Sequence, residues 1–324
     1  MLAIEVSEFG DDSACRRVER EKPEPGPGEV LLDVEAVGVN FADVMQRRGH
    51  YHGGPEPPYV PGMEAAGTVE ATGDDVADRE AGDRVVAMLD GDGYAEYATA
   101  PARALFDVPE SVSFAEAAGF PVQFLTASLC LHDLGGLDED DEVLVHAAAG
   151  GVGTAAVQLA SHHGAEVYGT ASTPEKLALA ERLGCDHPID YTETDFPAET
   201  AALTDGDGLD LILDGVGGDT FRESVDALAP FGRVVAYGAA SGEPGTVDTA
   251  TLLFGNKSVE GFHLGRAMAR DPERVYAAVP ELSAMLASGD LEVVVGQTFA
   301  LADAAAAHRA LENRETTGKV VLEP

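Results

Sequence analysis

The chain has 324 residues, longer than one comfortable hydrophobic core, and fits two domains of ordinary size. Its 58 acidic residues face 20 basic ones, a formal net charge of -38, and such a field repels nucleic acid and anionic membranes. No run of about 18 apolar residues is available to span a bilayer, and the acidic start MLAIEVSEFGDD lacks a basic segment leading into an apolar one, so a soluble cytoplasmic protein is expected.

In chain order, the first part is β-rich. EVLLDVEAVGV (29–39), AAGTVEATG (65–73), DRVVAML (83–89) and AEYATA (95–100) are short apolar or alternating runs separated by Gly, Pro and Asp. From Phe114 the period becomes helical in FAEAAGFPVQFLTASLCLHDLG, closed by Gly135-Gly136. Strand and helix then alternate. VLVHA (143–147) leads into helix GTAAVQLASHHG, EVYGTA (166–171) into helix TPEKLALAERLG, and HPID (187–190) follows. LDLILDGV (209–216), helix GDTFRESVDALAP and strand GRVVAYG (232–238) continue the pattern, which predicts a parallel, doubly wound sheet covered on both faces. SVEGFHLG (258–265), helical runs over 272–288 and 303–313 and a final strand-like KVVLEP close the chain.

Acid is spread along the chain in GDDSA, GDDVADREAGD, LDEDDE and TDGDGLDL, and only four of the basic residues are lysines. A surface charged everywhere, rather than in one tail, predicts adaptation to a salt-rich cytoplasm. Cys15, Cys130 and Cys185 are odd in number and widely spaced, so neither a disulfide framework nor a metal cluster is expected.

Gly150-Gly151-Val152-Gly153 lies between strand VLVHA and helix TAAVQLA. A dinucleotide fold needs glycine there for the tight turn, for approach of the pyrophosphate to the backbone, and for close packing of helix on sheet. Strand, turn, helix and second strand follow in the required order, so a nucleotide site is predicted. NAD sites carry a carboxylate about 20 positions on for the ribose hydroxyls. Here Ser172-Thr173 and Lys176 stand instead, and a hydroxyl with an ammonium suits a 2′-phosphate, so NADPH is the expected cofactor.

Several motifs in order resemble the zinc-independent quinone oxidoreductases, the zeta-crystallin-like branch of the medium-chain dehydrogenase/reductase superfamily. They are GVNFADVMQRRGHY (38–51), PPYVPGMEAAG (57–67), AGDRVVAM (81–88), GYAEY (93–97), HAAAGGVGTAAVQLA (146–160), STPEK (172–176), IDY (189–191) and GKVVL (318–322). The resemblance implies an α/β protein with a GroES-like, β-rich substrate domain (1–120, returning over 265–324) and a Rossmann cofactor domain (121–264), the cofactor lying in the cleft between them. It implies that Asn40 and Thr126 face the nicotinamide and that Gly150, Gly151, Val152 and Gly153 hold the pyrophosphate. Ser172, Lys176 and Tyr191 would meet the 2′-phosphate, with Tyr237, Gly238 and Phe262 lining the rest of the groove. It also implies a homodimer paired through the edge strand at SVEGFHLG.

Zinc relatives carry a cysteine where this chain has Asn40 and a histidine where it has Met63, so no metal is expected. Without a Lewis acid the acceptor must already be activated, which points to quinones, or alternatively to activated C=C bonds such as enones and enoyl thioesters. Tyr51 and Asn40 are the candidate hydrogen-bond donors to developing negative charge, and Met45 stands where many relatives have an aromatic residue. Asp43 and Glu64 read as loop-fixing residues and His146 as a satisfied strand-end residue. A non-catalytic NADPH-binding redox sensor or structural protein is the rival of another class.

Overall fold

Alternating and doubly buried strands begin the first unit of the computed structural model, which describes all residues from Met1 to Pro324. Strands β1 (Leu2–Val6) and β2 (Cys15–Glu19) form an antiparallel pair. Then come β3 (Glu29–Val39), helix α1 (Phe41–Arg47), β4 (Glu64–Thr72), β5 (Arg84–Met88), β6 (Tyr97–Pro101), β7 (Leu105–Asp107) and α2 (Phe114–Ala118). β3 pairs antiparallel with β4 along one edge and with β6 along the other, residues Val30 to Asp33 facing both partners.

Pro121 starts α3 (Pro121–Ser128), so the helical stretch expected from Phe114 onward is broken at Gly119-Phe120. It closes in a π-helical turn over Leu129–Leu134. The nucleotide-fold elements follow: β8 (Glu142–Val145), α4 (Gly151–His163), β9 (Glu166–Ala171), α5 (Pro174–Arg182), β10 (His187–Asp190), α6 (Phe196–Leu203), β11 (Leu209–Asp214), α7 (Gly218–Ala227), β12 (Leu228–Ala236), α8 (Thr249–Gly255) and β13 (Ser258–Gly261). All ladders of this sheet are parallel, in the order β10-β9-β8-β11-β12-β13. The order reverses between β8 and β11, the switch point beyond whose carboxyl ends such folds bind ligands. Its core contains Leu144, Tyr168, Ile189, Ile212, Phe221 and Val234. Each large apolar side chain buried there contributes roughly 1.5–3 kcal/mol.

Helices α9 (Leu264–Arg270), α10 (Pro272–Tyr276) and α11 (Val279–Ser288) come next. The chain then returns through β14 (Val295–Ala300), α12 (Ala304–Glu312) and β15 (Lys319–Glu323) to the first sheet, ordered β14-β15-β3-β4-β5-β7. Val30, Leu32, Val37, Val69, Val85 and Leu322 are among its core residues. The compact units are Met1–Val122 with Leu286–Pro324, and Gln123–Met285. The return thus falls later than residue 265, because Val275 of α10 is buried and shares a cavity wall with Leu129 and Leu134 of the second unit. No helix is long and apolar enough to cross a membrane.

Candidate functional site

Apart from Asn40, which follows β3 of the first unit, and Thr126, which lies within α3, the groups expected to hold a nucleotide follow the carboxyl ends of the parallel strands. After β8 the backbone turns sharply: Ala147 has a φ of 51°, and the Gly150 N–H donates to its carbonyl at 2.8 Å. Gly150 then caps α4 without any side-chain bond, which leaves the first-turn N–H groups of Gly151, Val152 and Gly153 available to an anion. Gly153 is required by packing. A Cβ there would collide with the Ala147 carbonyl and come within 2.8 Å of the Ala148 Cα. The turn therefore offers the backbone N–H donors that an anion needs.

Parallel register places Asp190 opposite Ala171, so the next residues, Tyr191 and Ser172, leave β10 and β9 side by side. The Tyr191 N–H donates to the Ala171 carbonyl at 3.2 Å. Thr173 caps α5 by accepting from the Lys176 N–H at 3.3 Å, with Pro174 at the helix start. Ser172, Lys176 and Tyr191 are thereby brought to one end of the sheet; Tyr191 is exposed and the other two half-buried. Tyr237 and Gly238 follow β12, and Phe262 follows β13, its N–H donating to the Ala236 carbonyl at 2.9 Å. Tyr237 lies against Gly215, whose missing Cβ makes room for the ring, and burial raises the phenol's pKa.

Two features of this unit lack a local sequence signature. Asp214, fully buried at the end of β11, accepts from the N–H groups of Val216 (2.6 Å) and Gly217 (3.1 Å), and burial raises its pKa. It shapes the loop after β11. Gln123 is 1% exposed, and neither its amide nitrogen nor its oxygen has a partner. It stands one helical turn before Thr126, which is itself buried.

His146 is satisfied at both nitrogens, by Thr170 Oγ1 (3.0 Å) and Ser224 Oγ (2.8 Å). The Ser224 hydroxyl donates to the Thr220 carbonyl at 2.7 Å, so His146 Nε2 is the donor to Ser224 and the ring is neutral. Burial lowers its pKa to about 4.

In the first unit, Asn40 precedes α1. Its N–H donates to Asp43 Oδ2 at 2.8 Å and its amide nitrogen to Glu64 Oε1 at 2.9 Å, while its amide oxygen accepts from Lys319 Nζ at 2.7 Å. Lys319 also donates to Glu64 Oε1, and Glu64 Oε2 accepts from the Val122 N–H at 2.8 Å. Lys319 and Glu64 are 3% and 0% exposed. Behind them Asp43 accepts from the Tyr94 hydroxyl at 3.3 Å, and Tyr94 meets His308 Nε2 at 3.0 Å. Burial pushes Asp43 up to about 6 and His308 down to about 3. Asp43 and Glu64 thus fix the Asn40 region. Tyr51 lies half-buried in the bend after α1, and Met45 and Met63 are half-buried as well. No three His, Cys, Asp or Glu side chains converge on a point that could hold a metal ion.

A mostly antiparallel β unit interrupted by a doubly wound nucleotide unit, with a glycine cradle at the switch point, defines a two-domain nucleotide-dependent oxidoreductase architecture. Residues 26–110 match the alcohol dehydrogenase GroES-like domain, and residues 151–284 match the family described as zinc-binding dehydrogenase. The chain is similar to the human synaptic vesicle membrane protein VAT-1 homolog, 38% identical over 93% of this chain and 80% of that protein. It is 39% identical to 2-haloacrylate reductase from a Burkholderia species, over 93% and 92% of the two chains. The solved structure of Escherichia coli quinone oxidoreductase complexed with NADPH superimposes with a TM-score of 0.94, at 33% identity and full coverage of both chains. The chain belongs to the medium-chain dehydrogenase/reductase superfamily, among its quinone oxidoreductase relatives.

Proposed function

We propose that the protein is an NADPH-dependent reductase of quinones that acts without zinc. The observation that carries this reading is the conjunction of the Gly150–Gly153 cradle with Ser172, Lys176 and Tyr191 at the neighbouring strand ends. The cradle supplies N–H donors for a pyrophosphate, and the second group supplies an ammonium and hydroxyls, with no carboxylate among the three, for a 2′-phosphate. Thr126, Tyr237, Gly238 and Phe262 are assigned to the rest of the cofactor. Bound NADPH supplies a hydride, which a quinone takes up with one proton to become the hydroquinone. Tyr51 is assigned to hydrogen bonding on the acceptor side, and Asn40, expected as a second donor there, is instead assigned to shaping the site, because its amide is already engaged with Gly38, Glu64 and Lys319.

Zinc independence is supported by side-chain chemistry. Both ends of the Asn40 amide are engaged with Lys319 and Glu64, the Lys319 ammonium already supplies positive charge there, and Met63 offers only a thioether. A homodimer paired through β13, the edge of its sheet, is supported by exposed Phe231, Leu253 and Phe254, an apolar group beside that edge. Salt adaptation is supported by acids that stand exposed in several separate clusters.

Reduction of activated C=C bonds on the same site is the second reading, favoured by the similarity to 2-haloacrylate reductase. Following NADPH oxidation with a quinone, an enone and an enoyl thioester separates the two. Turnover of the quinone above the others is expected. Tight NADPH binding without turnover of any acceptor would instead favour a binding protein.

A further inference from the structure

A cavity of about 780 Å³ opens in the second unit beyond the carboxyl ends of β12 and β13. Its volume is that of a small-molecule site. Leu129, Leu134, Phe262 and Val275 give it an apolar wall, next to the Tyr237-Gly238 turn. Arg266, Arg270 and Arg274 line it as well. Arg266 and Arg270 are four residues apart on α9, so they stand on one helical face.

In a chain where acids outnumber bases 58 to 20, three guanidiniums against two carboxylates at one cavity run opposite to the overall balance. The two carboxylates that share the lining are committed. Asp133 accepts from Arg274 Nε at 2.8 Å and Nη2 at 2.7 Å, and Asp271 caps α10 by accepting from the Arg274 N–H at 3.2 Å. Arg266 and Arg270 are exposed at the mouth and form no ion pair. A guanidinium forks onto two oxygens of one group, so this pair suits a carboxylate, sulfonate or phosphate and holds a neutral carbonyl weakly.

We propose that this cavity, which adjoins the cofactor at Tyr237, Gly238 and Phe262, takes in its remaining space the outer part of the electron acceptor, and that the acceptor is an apolar molecule carrying an anionic group held by Arg266 and Arg270. The word acceptor rests on the reductase reading above; capture of the anion does not. The apolar wall receives the body of the molecule, and the arginines at the mouth receive its charge.

The test compares naphthoquinone with naphthoquinone sulfonate, a pair that differs by one anionic group. The wild-type protein is expected to prefer the sulfonate in kcat/KM. In Arg266→Ala/Arg270→Ala that preference should fall about 10- to 100-fold, the range for losing charge-assisted hydrogen bonds. Arg266→Lys/Arg270→Lys should keep part of it. A preference absent from the wild type, or unchanged in the alanine variant, overturns the proposal. Should neither quinone turn over, equilibrium dialysis of the sulfonate still decides. Binding to the wild type that the alanine variant loses upholds the cavity while removing the reductase reading; binding equal in both, or absent from both, overturns the cavity.

Discussion

The ammonium of Lys319 donates to the amide oxygen of Asn40 at 2.7 Å, from a strand near the other end of the chain. An ammonium can only donate and an ionised carboxylate can only accept, so Lys319 and Glu64 together fix which way the Asn40 amide faces. Lys319→Met leaves the Glu64 carboxylate fully buried without its counter-ion, a loss of about 3–5 kcal/mol for a broken buried pair. Glu64→Gln on that background should recover part of the loss, because the uncompensated charge goes with it. Urea unfolding of both single variants and the double variant reads the coupling; strictly additive losses would show that the pair does not act as a unit.

Lys176→Ala should raise the KM for NADPH about 10- to 100-fold, the effect of one charged contact, and leave the KM for NADH within about two-fold. Lys176 lies in the first turn of α5, directly after the strand end where Ser172 and Tyr191 stand side by side. Steady-state kinetics with the two cofactors checks it. Equal losses for both would refute the assignment to the 2′-phosphate.

The nucleotide half was readable because its inner strands are buried on both faces and appear as short apolar runs; β9 has the bounds that its run predicts. β14 was not, since VGQTFA alternates between half-buried and exposed positions and sits at a sheet edge. The glycine cradle is contiguous and thus visible in one line of sequence. The Asn40, Glu64 and Lys319 cluster joins residues up to 279 positions apart, and no local period announces such a contact. Gln123 and Asp214 were missed for a related reason: each is one polar residue within an apolar run, and only burial reveals it.

Buried His146, with its pKa lowered to about 4, makes stability depend on pH with a definite sign. Between about 4 and the ordinary imidazole value near 6.5, the unfolded chain binds a proton that the folded ring refuses, so stability falls as pH falls through that window. His308 acts in the same sense, while Asp43, raised to about 6, acts in the opposite one. The difference between variants isolates one group. In His146→Gln, the loss of stability between pH 7 and pH 4.5 should be smaller than in the wild type by about 2 kcal/mol. Parallel pH profiles for the two proteins would show that His146 does not refuse the proton.

Phe231, Leu253 and Phe254 are 78%, 71% and 84% exposed beside the free edge of β13. Three large apolar side chains at an unpaired strand edge call for a cover, and a second copy of the same edge supplies one with two-fold symmetry. Light scattering should give a dimer mass for the wild type and a monomer mass for Leu253→Glu/Phe254→Glu. A monomeric wild type, or a variant that stays dimeric, would remove this edge as the interface.

The net charge of -38 should make stability rise with salt. Asp74, Asp75 and Asp78 form one exposed acidic cluster, Asp138, Glu139 and Asp140 another, and Asp205 with Asp207 a third; none of them takes part in an ion pair. The compact state holds these charges closer together than the unfolded chain does, so their repulsion opposes folding. Screening shortens the reach of that repulsion from about 10 Å at 0.1 M to about 3 Å at 1 M. The urea midpoint should therefore climb with added sodium chloride, most steeply at the low end, where the screening length changes fastest. A midpoint that is flat across this range would mean that self-repulsion does not limit stability. A rise that begins only well above about 1 M would point to salt acting on apolar burial instead.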